Sequence, residues 1–102
     1  MSRRAKLEAM LQADPTDSFI HYALAMDYLN AGEHEAARTR LVALAQSDPH
    51  YVPTYFQLGR VLQMLDELAE CRDWLERGIQ VAHTSGDAHA AGEMRGLLES
   101  LG

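Results

Sequence analysis

The side chains able to do chemistry are few, and their spacing suits none of the common reactions. Five histidines are present, and His83, Asp87 and His89 come nearest to a metal-binding group. Structural zinc takes four ligands, often cysteines, and helical zinc sites set two histidines at i and i+4. The histidines here follow no such pattern, so no metal is expected. A single cysteine, Cys71, allows neither an intrachain disulfide nor a thiolate cluster. Reactive thiols need exposure and positive neighbours; with Glu70 and Asp73 beside it, Cys71 reads as a buried, inert group. Ser47, Ser85 and Ser100 fall in loops or at helix ends. There is no phosphate-cradling glycine loop, no nucleophile elbow and no carboxylate pair with an obvious pocket. The expectation is a protein with no catalytic residues and no cofactor, and not an enzyme.

Charge narrows the partners. The formal net charge is −6, whereas phosphate binding needs clustered Lys and Arg to release counterions. The one basic cluster, Arg3, Arg4 and Lys6, is followed closely by Glu8 and Asp14. No nucleic acid is expected. Nor is a membrane, because no apolar run approaches the roughly 18 residues that a span needs. Lys6-Leu7-Glu8-Ala9 stands where a twin-arginine signal would carry its apolar segment, and a cytoplasmic protein is expected. Gly92-x-x-x-Gly96 has the spacing that lets membrane helices approach closely. In a short, charged helix it suggests close packing on residues 67–82.

Binding is the chemistry that remains, and the elements presenting it follow from a repeat. The 102 residues, 47% apolar and 24% charged, suit one globular domain. Asp14-Pro15 recurs as Asp48-Pro49, a spacing of 34 residues. At the same offset Leu7 matches Leu41, Leu24 matches Leu58, Arg38 matches Arg72 and Leu41 matches Leu75. A fixed period with sparse identities marks an α-solenoid, whose units stack to bury their apolar faces.

Each unit reads as two helices. Pro15 and Pro49 end the helices before them. Asp17 or Ser18 caps a helix carrying Ile20, Leu24 and Tyr28 at helical spacing, and Gly32 stops it in the left-handed conformation. The partner helix carries Ala37, Leu41, Leu44 and Ala45. In the second unit Pro53 suits the first helical turn, and Leu58, Val61, Leu62 and Leu65 form the stripe. Asp66 replaces the turn glycine, and Leu68, Cys71, Leu75, Ile79 and Ala82 follow. Residues 3–13 read as the second helix of a unit, with Leu7, Met10 and Leu11 on its apolar face. Thr84-Ser85-Gly86-Asp87 reads as a loop, and a last helix carries Ala91, Met94, Leu98 and Leu101.

The segments His21-x-x-Leu24-Ala25-x-x-Tyr28, Ala37-x-x-x-Leu41 and Pro49, then Tyr55-x-x-Leu58-Gly59-x-x-Leu62 and Cys71-x-x-x-Leu75, resemble the tetratricopeptide motif. The resemblance implies an all-α tetratricopeptide-type superhelix over residues 1–102. Its parts are an N-terminal half-unit helix (3–13), a first repeat (18–51), a second (52–84) and a capping helix (87–101). His83 stands where a further proline would fall, which ends the array there. The family presents a concave groove, lined by the first helix of each hairpin, to a peptide or helix of a partner protein. Carried onto this chain, the groove positions are Phe19, Tyr22, Met26 and Asn30, then Pro53, Phe56, Gln57, Arg60 and Met64. One subfamily grips acidic chaperone tails with Lys, Asn and Arg. Here its asparagine sites read Ala23 and Gln57, and Arg60 is the only groove cation, so an apolar or amphipathic segment is the expected partner. The alternative is a weakly self-associating homo-oligomer whose groove is filled by its own copy.

Overall fold

Helix boundaries fall at the cap and turn residues. In the computed structural model, which describes residues 1–102, the chain forms α1 (Arg3–Ala13), α2 (Ser18–Asn30), α3 (His34–Ser47), α4 (Pro53–Met64), α5 (Leu68–Thr84) and α6 (Ala88–Ser100). The side chains of Ser2, Asp17 and Asp87 accept from the Ala5, Ile20 and Ala90 amides at 3.1, 3.0 and 3.0 Å. These bonds satisfy N–H groups that a first helical turn leaves without partners. Asp14 and Asp48 close α1 and α3 outside the helical region, with φ of −142° and −140° and ψ of 77° at both, because a following proline disfavours helical backbone.

The other turns share one left-handed geometry. Gly32, Asp66 and Gly86 hold φ of 79°, 59° and 74°. The next amides, of Glu33, Glu67 and Asp87, donate back to the Tyr28, Leu62 and Ala82 carbonyls at 2.9, 2.9 and 2.8 Å. That bond satisfies a carbonyl the helix end would otherwise orphan. Asp66 tolerates the position because its short polar side chain suits left-handed backbone better than most.

Two helical hairpins, α2 with α3 and α4 with α5, stack so that α3 packs on α4 and α5 on α6. The architecture is the expected all-α superhelix. One apolar core runs from Ala25 and Leu29 on α2 to Ala91 and Met94 on α6. A smaller cluster of Leu7, Ala23 and Leu24 holds α1 to α2. Leu41, Leu58, Leu62 and Leu75 are fully buried, each contributing about 1.5–3 kcal/mol of burial. Close helix approach is made by small residues: Ala25, Ala37 and Cys71 are fully buried. A Cβ on Gly59 would lie 2.5 Å from Leu75 Cδ2, and one on Gly78 2.4 Å from Tyr55 Cβ.

Several expectations change. Gly92 and Gly96 do not seat α6 closely on α5. Both are exposed, and a Cβ on either would meet nothing within 4 Å; Ala91 and Met94, on the opposite side, make the contact. Gly78, unremarked in the sequence, is the glycine that admits α6, since its Cβ would stand 2.5 Å from Met94 Sδ. Met10 is 50% exposed, because α1 packs on one helix only and buries a single row. Thr84 belongs to α5, not to the loop. Finally, α6 lies against α4 as well as α5, so it continues the layer of first helices.

Polar pins fix the stack at its edges. Arg4 reaches from α1 to Asp27 (2.9 Å) and Glu33 (2.6 Å), its guanidinium 3.8 Å from the Tyr28 ring centroid. Those two hydrogen bonds, to Glu33 first and then Asp27, hold it more firmly protonated than an ordinary arginine. Arg38 of α3 reaches Glu70 of α5 at 2.5 Å, and Arg72 donates to the Leu101 carbonyl at 3.3 Å.

Candidate partner-binding groove

Residues three and four apart on a helix share a face. That places Phe19, Tyr22 and Met26 on one stripe of α2, and Pro53, Phe56, Gln57, Arg60 and Met64 on one stripe of α4. Tyr22, Pro53, Phe56 and Gln57 converge on one open cavity of about 270 Å³. Val52, just before α4, completes that side. The opposite side comes from Asp87 at the start of α6 and from His89, Ala90, Glu93 and Met94.

The remaining expected positions lie outside this lining. Phe19 is 64% exposed and Met64 49%. Asn30 is exposed, and Met26 is half-buried against the main core. Arg60 is half-buried and donates from Nη1 to Gln57 Oε1 at 2.9 Å.

The rings are braced. Tyr51, in the turn before α4, sets its ring centroid 5.9 Å from that of Tyr22 at 58°, a tilted pairing favoured by ring quadrupoles. Burial, and then the nearby Tyr22, Asp17 and Asp48, push the Tyr51 hydroxyl above its ordinary value. Tyr55, the bulky motif residue behind the lining, is buried and donates to the Pro49 carbonyl at 2.6 Å.

Charge in the cavity is one-sided. Its lining holds two carboxylates, Asp87 and Glu93, and neither Lys nor Arg. Asp87 Oδ1 accepts from the Ala90 amide, which leaves Oδ2 available. Glu93 Oε1 stands 3.4 Å from His89 Nε2, and the Glu93 side chain is 49% exposed.

Other groups able to do chemistry are used internally. The Cys71 thiol donates to the Gly59 carbonyl at 3.1 Å, and burial pushes its pKa up, against a small opposing effect of Arg72. His21 donates from Nε2 to the Pro15 carbonyl at 2.8 Å, and His83 pairs with Arg95. Three larger hollows, of about 440, 410 and 340 Å³, border α3. Among their polar groups, Arg38 is paired with Glu70 and Ser18 with Asp48 (2.6 Å).

The α6 contribution escapes a search for a 34-residue period. Ala91, Met94 and Leu98 hold the positions that Tyr55, Leu58 and Leu62 hold on α4, at a spacing of 36 residues. Helix α5 has 17 residues against 14 in α3, and the extra length breaks the register. The legible signal is the shared three-and-seven spacing of apolar residues in the last helix.

Stacked helix pairs with one lined face define a helical-repeat solenoid. Residues 2–70 match the family described as tetratricopeptide repeat, and the chain belongs to that family. It is 34% identical over 95 residues to the TPR repeat-containing protein PA0015 of Pseudomonas aeruginosa, covering 93% of this chain and 90% of that protein. A tetratricopeptide repeat domain protein from Salinibacter ruber, solved by NMR, superposes with a TM-score of 0.81 at 32% identity, over 86% of this chain and 89% of that one. The Yersinia enterocolitica type III secretion chaperone SycD, solved in complex with a peptide of the translocator YopD, superposes with a TM-score of 0.86. Its identity is 19%, over 96% of this chain and 76% of that one; at that identity the likeness concerns the fold. No helix is long and apolar enough to cross a membrane.

Proposed function

We propose that this protein is a protein-interaction module that holds an apolar or amphipathic segment of a partner in the face formed by α2, α4 and α6. The observation that carries this reading is the cavity in which the half-buried rings of Tyr22 and Phe56 remain open to a ligand beside three successive first helices. Rings offer large, rigid contact area, and Met64, half exposed on the α4 stripe, adapts to varied surfaces. A chaperone of the same fold crystallised with a partner's peptide supports the reading. Two hairpins and a helix present a small surface, so binding falls in the low-area regime, at about micromolar affinity.

The test is a series of Tyr22→Ala, Phe56→Ala and Arg60→Ala variants against a partner recovered by pull-down from the native cell. Each ring variant is expected to weaken binding by about tenfold, the order seen for buried aromatic anchors. Unchanged affinity in all three, with the helical signal intact, refutes the groove assignment. Self-association through the same face is the competing reading. Light scattering that stays monomeric as concentration rises removes it.

A further inference from the structure

Resting on that groove reading, we propose that the cavity between α4 and α6 is a cation pocket that takes one Arg or Lys side chain of the partner segment. Two features of the lining converge on this chemistry. Tyr22 and Phe56 supply aromatic surface, and a cation near an aromatic face is attracted by the ring quadrupole. Glu93 and Asp87 supply carboxylate oxygens on the opposite wall, where they can accept charge-assisted hydrogen bonds from a guanidinium or ammonium.

No Lys or Arg of this chain reaches into the space. Arg60, the nearby cation on α4, is not among the lining residues and donates to Gln57, which is. His89 meets only Glu93 Oε1, at 3.4 Å, and is 88% exposed, so it leaves the carboxylate open to competition. A carboxylate-bearing ligand would meet two like charges here, with the exposed His89 as the one base in the lining. A purely apolar side chain would displace water from the Asp87 and Glu93 carboxylates without replacing its hydrogen bonds, which is unfavourable in proportion to the water it excludes. A long cationic side chain satisfies both walls, its methylenes against the rings and its head between the acids. The net charge of −6 adds long-range attraction for a basic segment. The partner is therefore an amphipathic segment with a basic residue among its apolar anchors.

Three capped dipeptides, acetyl-Leu-Arg-amide, acetyl-Leu-norleucine-amide and acetyl-Leu-Glu-amide, serve as probes. Each is titrated at millimolar concentration into the ¹⁵N-labelled full chain and followed by amide chemical shifts. The arginine probe is expected to move Phe56, Gln57, Ala90 and Glu93 and to bind about fivefold tighter than the norleucine probe, with the glutamate probe weakest. In Glu93→Gln, an exposed substitution that leaves the core intact, the arginine preference should fall by about threefold, with the norleucine probe unchanged. Equal binding of the arginine and norleucine probes at these residues overturns the cation pocket while leaving an apolar groove standing. Arginine shifts scattered over the acidic surface and absent from these residues also overturn it. If no probe shifts the cavity residues the pocket is refuted, and the groove reading is then judged separately by the ring variants.

Discussion

Replacing glycine by alanine at three sites should move stability in opposite directions. Gly92 and Gly96 lie inside α6 with ordinary helical φ, and a Cβ at either would meet nothing within 4 Å. Each alanine then gains only the helix-propensity difference, about 1 kcal/mol. For a domain near this size that is a rise in Tm of about 4–8 °C per site. Gly78 has the same helical backbone on α5, but a Cβ there would stand 2.4 Å from Tyr55 Cβ, 2.5 Å from Met94 Sδ and 2.9 Å from Tyr55 Cγ. The Met94 sulfur can turn away. Tyr55 Cβ cannot, because it is fixed to the α4 backbone and its ring is buried. Forcing the helices apart costs about 1–3 kcal/mol, which outweighs the propensity gain of about 1 kcal/mol because the rigid Tyr55 Cβ cannot give way. Gly78→Ala is therefore expected to lower Tm while Gly92→Ala and Gly96→Ala raise it. Thermal unfolding followed by circular dichroism at 222 nm reads all three. A loss of stability in Gly92→Ala and Gly96→Ala would mean that α6 packs through its glycine face, and a neutral Gly78→Ala would mean that α4 and α5 stand further apart than described.

Two further substitutions test the interior. Thr54 is fully buried at the start of α4 and its hydroxyl has no hydrogen-bond partner. Thr54→Val keeps the shape and removes the unsatisfied group, so chemical denaturation should show a gain of about 1 kcal/mol; a loss would reveal a bond to that hydroxyl. Burial raises the pKa of Cys71 above its ordinary 9.0, and burial likewise raises Tyr51 and Tyr55 above 10.0. Well below pH 8 both folded and unfolded chains keep these protons. Above it the unfolded chain releases them first, so the native state binds more protons and stability falls as pH rises through the raised values. Melting from pH 8 to 11 should show this decline, less steep between pH 9 and 10 in Cys71→Ala; parallel profiles would refute the thiol's share.

Sequence alone determined the local geometry. Asp-Pro pairs 34 residues apart fixed where α1 and α3 end, because a residue before proline leaves the helical region. Gly32 and Asp66, at that same spacing, fixed the hairpin turns through their tolerance of positive φ. Ala25, Ala37, Gly59 and Cys71 marked the close approaches, since only small side chains fit between helix axes that near. Such choices are made within a few residues, and a periodic pattern exposes them.

Tertiary structure decided what several distant segments do together. The place of α6 against both α4 and α5 is set by the stacking of the hairpins, while the extra length of α5 takes the last helix out of the 34-residue register. Gly78 and Gly92 are the same residue type, and only the positions of Tyr55 and Met94 distinguish a packing glycine from an exposed one. The pairing of Tyr22 and Phe56 with Asp87 and Glu93 across one cavity joins residues from three helices. Their separation in space is set by how the hairpins stack, and no local propensity encodes that distance.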